Sequence, residues 1–109
     1  MNVYDEAHGL ARAIKESNEF KEFDRMRQEV ERDPDASKML GELQQLQMEL
    51  QAAQMSGKQP EAEVMQRMQS LSTLVATKPV AAKFMQTEAA FSVMMSDVFK
   101  IIGEAVGLQ

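Results

Sequence analysis

No cysteine occurs anywhere in the 109-residue chain. Disulfides, thiolate nucleophiles, zinc–thiolate sites and cysteine-held iron–sulfur clusters are therefore excluded. Tryptophan is also absent and aromatics make up 6% of the residues, so a core must come from Leu, Val, Ile, Ala and the ten methionines. Methionine is flexible and polarizable, and it fills irregular gaps and adaptable contact surfaces. No apolar run approaches the ~20 residues of a membrane span. The start, MNVYDEAHGLAR, has acids where a signal peptide needs bases. The cytoplasm is the expected compartment, without membrane insertion. Basic clusters are missing too. Net charge is −5, with 14 acids against 8 bases over residues 1–63 and 3 against 4 over residues 64–109. Such a chain is a poor fit to direct binding of nucleic acid or an anionic membrane. Its nearly neutral second half reads as buried or bound.

What is present is helical periodicity. The length fits one domain spanning residues 1–109. The three prolines all read as helix starts: DPDA with Asp33 as N-cap, QPEAE with Gln59 as N-cap, and TKPV with Pro79 at or near a first turn. Gly57 is a natural left-handed stop before the second of these. No alternation suggests a strand, and five helices are predicted near 3–16, 18–32, 34–56, 60–77 and 79–106. Apolar residues recur at helical spacing in each. The third carries a heptad seam of Ala36, Met39, Leu43, Leu46, Leu50 and Ala53. The short MSGKQPE link makes helices three and four an antiparallel hairpin. The expected fold class is all-α, an elongated helical hairpin or bundle that oligomerises.

Two features go beyond a minimal bundle. The fifth helix would run roughly 40 Å, longer than the ~34 Å diameter of a compact sphere of this chain. The third helix also has a minor line of Gly41, Met48 and Met55, seven residues apart and away from its seam. Either the fifth helix bends, near Gly103, and the Met line faces water, or the chain associates through both helices. The reading adopted is association through Gly41, Met48 and Met55, and through Met94, Val98 and Ile101. The partners are then a second copy and other proteins.

Few residues offer chemistry. Projection at 100° per residue sets Glu88 among Phe84, Met85, Phe91, Met95, Phe99, Ile102 and Val106. A carboxylate buried there must pair, protonate or reach water. Arg27 is the first candidate partner and Arg67 the second; snorkelling to water is the alternative. General acid–base catalysis needs a second group and a cleft, and no catalytic residues are assigned. His8 is a lone histidine without a metal-site pattern, and Met39, Met65, Met68, Met85 and Met95 fall on or beside core stripes, so neither metal nor cofactor is expected. The competing functional reading is a small-ligand or cofactor carrier with a Met-rich cleft between helices.

The order of YDEAHGLARAIKESNEFKEF, DPDASKMLGELQQLQMELQAAQMSGK and KPVAAKFMQTEAAFSVMMSDVFKIIGEAV, with the Glu88-Ala89 pair in the last, resembles the YlbF/YmcA family of small bacterial helical proteins, including its YheA-like group. The likeness covers residues 3–106. It implies an all-helical, oligomeric, regulatory protein that is not an enzyme. It also implies links to competence, sporulation and biofilm formation, and a partner role in a complex that modulates a membrane-anchored endoribonuclease and mRNA maturation. Some members are associated with iron–sulfur clusters through cysteines, a property this cysteine-free chain does not share.

Overall fold

The computed structural model describes residues 2–108. The chain forms α1 (Val3–Glu16), α2 (Asn18–Glu31), α3 (Pro34–Met55), α4 (Ala62–Thr77) and α5 (Pro79–Ala105), with no strand among the described residues. Local chemistry explains most boundaries. Asn2 caps α1, its side-chain oxygen accepting from the Tyr4 N–H at 2.8 Å. Ser17 serves two helices at once: its Oγ donates to the Ile14 carbonyl at 2.6 Å and accepts from the Phe20 N–H at 3.1 Å. That single hydroxyl ends α1 and starts α2.

Two glycines end helices as expected of left-handed residues. Gly57 has φ 73° and Gly107 φ 75°. After α3, Lys58 N–H reaches the Ala53 carbonyl and Gly57 N–H the Gln54 carbonyl; after α5, Leu108 and Gly107 repeat the pattern on Gly103 and Glu104. These paired bonds are Schellman closures, which satisfy carbonyls that the helix end leaves free.

One boundary departs from expectation. α4 begins at Ala62 rather than at Pro60, and Glu61 occupies the cap position without a side-chain cap bond. Gln59 is not a good capping side chain, and the fixed φ of Pro60 suits an extended lead-in as well as a first helical turn.

The chain packs as two compact units. Residues 28–83 form one, built on the α3–α4 hairpin. Its core holds Val30, Ala36, Leu43, Leu46, Leu71, Val75 and Ala81. Residues 2–27 and 84–108 form the other. Its centre is a ring cluster: Phe23 stacks on Phe91 with centroids 5.2 Å apart, and Phe84 and Phe20 each add a tilted contact at 5.6 Å. Met26 is buried in the same unit.

Within the first of these units, Asp33 ties two turns together. Its Oδ1 accepts from the Ala36 N–H at 3.1 Å, and its Oδ2 lies 3.2 Å from Lys78 Nζ, at the α4–α5 junction. The Ala36 N–H holds the Asp33 carboxyl below its ordinary value of 3.8 and Lys78 adds to this, while partial desolvation opposes it. A depressed native pKa means that the fold favours the ionised form. The contribution is full above the unfolded-state value and is lost as pH falls through the native one. Asp33→Asn keeps a capping side chain but loses the charge, so its stability should fall less between pH 4.5 and 2.5 than that of the parent. Asp33→Ala should lower the melting temperature at pH 7 as well. Thermal melts across that pH range check both, and parallel curves for parent and Asn variant would remove Asp33 from the acid response.

Candidate interaction surfaces

The residues singled out by the sequence fall into three situations. Glu88 is exposed; the buried slot beside it belongs to Thr87, which is 8% exposed and donates its hydroxyl to the Phe84 carbonyl at 2.8 Å. The expected buried pairing of Glu88 within the chain is therefore not formed. The physical reason is rotational. α5 turns Phe84, Thr87, Phe91, Met94 and Val98 toward its neighbours, while Phe99, Ile102 and Val106, which had centred the projected apolar face on Glu88, are exposed.

Arg27 is exposed too. Its guanidinium sits over the Phe23 ring, 5.7 Å from the centroid, and pairs with Asp24 one helical turn back. A carboxylate three residues away on the same helix is always within reach, which gives it the advantage over one on another helix. Arg67 is exposed on α4 and lines a groove of about 360 Å³ with Glu42, Leu46, Glu63, Leu71 and Leu74. No methionine lines that groove, so it is not the Met-rich cleft of the carrier reading. Among the described residues there is no group of three His, Asp or Glu side chains able to hold a metal ion.

The association candidates divide by exposure. Gly41 is exposed with open space around it, Met48 is 62% exposed, Met55 83% and Ile101 66%. Met94 and Val98 are half-buried. Two further apolar faces are open. α1 is amphipathic yet buries no residue, and its Val3, Tyr4 and Leu10 are exposed. The end of α5 exposes Phe99, Ile102 and Val106 on one face and Ile101 on another. The one sequence signal for the second face was the length of the helix. For α1 there was none, because an apolar stripe looks the same whether or not something covers it. Among the described residues no helix is long and apolar enough to cross a membrane.

Known proteins resemble this chain at the level of family, sequence and fold. A family model described as control of competence regulator ComK, YlbF/YmcA, matches residues 3–107. A UPF0342 protein of Alkalihalophilus pseudofirmus is 44% identical over 103 residues, 94% of this chain and 87% of that one. A UPF0342 protein of Symbiobacterium thermophilum is 38% identical over 104 residues, 95% and 93% of the two chains. Among solved structures, a protein of unknown function (DUF964) from Bacillus stearothermophilus superposes with a TM-score of 0.84 at 24% identity, covering 96% of this chain and 92% of that one. That last likeness concerns the fold alone.

Proposed function

Because this chain belongs to the YlbF/YmcA family of competence-control proteins, we propose that it acts by binding proteins, its own copies among them, rather than by turning over a substrate. The observation that carries this reading is the uncovered apolar surface: Phe99 is 61% exposed with Ile102 and Val106 on the same face of α5, Ile101 is 66% exposed on another face, and α1 leaves its apolar face open. Runs of exposed apolar side chains of this kind mark contact sites. Self-contact runs through the Gly41, Met48 and Met55 line of α3 and the Met94, Val98 and Ile101 stretch of α5. Glu88, exposed on α5, is available to a basic side chain of a partner.

The family resemblance extends the reading. The chain would be a cytoplasmic partner subunit in a complex that modulates an endoribonuclease and mRNA maturation, and through it competence, sporulation and biofilm formation. The absence of cysteine removes the iron–sulfur association of other members from this proposal.

Light scattering tests the first part. The expected mass is a multiple of the 12.3 kDa chain, reduced in an Ile101→Asp variant; a 12.3 kDa particle at every concentration overturns it. Tagged chain recovered from its native cell tests the second. An RNA-processing nuclease should come down with the parent and be lost with Ile101→Asp. Recovery of no such nuclease goes against that role.

A further inference from the structure

α3 carries two seams. The seam of Ala36, Met39, Leu43, Leu46, Leu50 and Ala53 is buried or half-buried throughout. A second seam runs through Ser37, Gly41, Gln44, Met48, Gln51 and Met55, and all six of its residues are exposed. Its steps alternate four and three, the heptad spacing of helices that pair along their length. At 100° per residue these six fall within about 80° of arc.

Three observations separate this seam from an ordinary solvated face. First, it is free of charge: Asp35, Lys38, Glu42 and Glu49, the charged residues of α3, all lie about 100° or more from its centre. Second, it holds large apolar side chains in the open, with Met48 62% and Met55 83% exposed. Third, it contains a mid-helix glycine. Glycine there costs roughly 0.5–1 kcal/mol relative to alanine, and a Cβ added at Gly41 would meet nothing within 4 Å. No contact inside the chain accounts for the missing side chain.

The pattern also fits itself in reverse. With one copy read forward and the other backward about the level of Leu46, Ser37 faces Met55, Gly41 faces Gln51 and Gln44 faces Met48. Each small residue meets a long, flexible one. Glutamine amides both donate and accept, so identical faces can meet about a two-fold axis without the like-charge opposition that charged residues would bring. We propose that this seam pairs antiparallel with the same seam of a second copy, in that register, over residues 37–55, a span of about 27 Å. The proposal rests on the reading of the chain as self-associating and specifies the face and the alignment.

The lack of cysteine makes the test clean. Chains carrying Gly41→Cys mixed with chains carrying Gln51→Cys should form a disulfide-linked pair under mild oxidation. Neither variant alone should do so, because each position lies roughly 15 Å along the axis from its own copy, beyond the ~7 Å that a disulfide bridges. Met48→Lys, at a position the chain leaves exposed, should lower the solution mass about two-fold, because it sets like charges into the contact. A multiple mass with no link between positions 41 and 51, or with Gly41→Cys linking to Met55→Cys instead, overturns this register and leaves self-association standing. A single-chain mass for the parent removes both.

Discussion

Phe91→Ala lowers the melting temperature by about 10 °C or more, whereas Phe99→Ala, eight residues along the same helix, moves the unfolding of the isolated chain by only a degree or two. Phe91 stacks on Phe23 at 5.2 Å and makes a tilted contact with Phe20 at 5.6 Å. Removing a packed Phe costs about 3–5 kcal/mol when buried. Phe91 is only half-buried, which argues for the lower part of that range. The two ring–ring contacts add geometry that alanine cannot replace. About 3 kcal/mol is a large share of a marginal stability of roughly 5–15 kcal/mol, and for a chain of this length each kcal/mol moves the midpoint by several degrees. Phe99, 61% exposed, leaves little contact behind when removed. Melts at matched low protein concentration separate the two effects, since association shifts apparent stability by mass action. A Phe91→Ala midpoint within two or three degrees of the parent would show that the rings do not anchor this unit.

The contrast between these two phenylalanines also marks what the sequence could and could not disclose. Helix starts at Pro34 and Pro79 and the stop at Gly57 were legible because a missing N–H, a capping carboxylate or a left-handed turn is a property of a few consecutive residues. The α4 start was misplaced by two residues because Pro60 is equally at home in an extended lead-in. The inward seam of α3 was legible because its heptad positions are all apolar, whereas the second seam mixes Ser, Gly and Gln with Met. The inward direction of α5 was not. Its apolar residues wrap far around the helix, and which of them are covered depends on where α2 supplies Phe20 and Phe23. A projection that weighted Phe99, Ile102 and Val106 equally with Phe84 and Phe91 therefore placed Glu88 in the centre, where Thr87 and its neighbours belong. The open face of α1 was not legible for the same reason: periodicity shows which face is apolar, and only packing shows whether that face is covered.

Leu46→Ala and Met48→Ala form the sharpest pair on a single helix. Leu46 is 3% exposed and belongs to the hairpin core with Leu43, Leu71 and Val75. Truncating a leucine this buried removes its transfer energy and leaves a cavity, together about 2–5 kcal/mol. The Leu46→Ala chain should therefore unfold at a denaturant midpoint well below the parent, with its slope unchanged so long as unfolding stays two-state. Met48 lies two positions further and about 160° around the helix, on the open seam, where its side chain has little of the chain's own packing to lose. Met48→Ala should leave the denaturant midpoint of the isolated chain within about 0.5 kcal/mol of the parent, while weakening association wherever that seam is a contact. Stability and assembly are thus assigned to opposite faces of α3, and the two measurements must dissociate. If Met48→Ala destabilised the dilute chain as much as Leu46→Ala, the second seam would be part of the internal packing, and its exposed, charge-free character would need an explanation other than a partner.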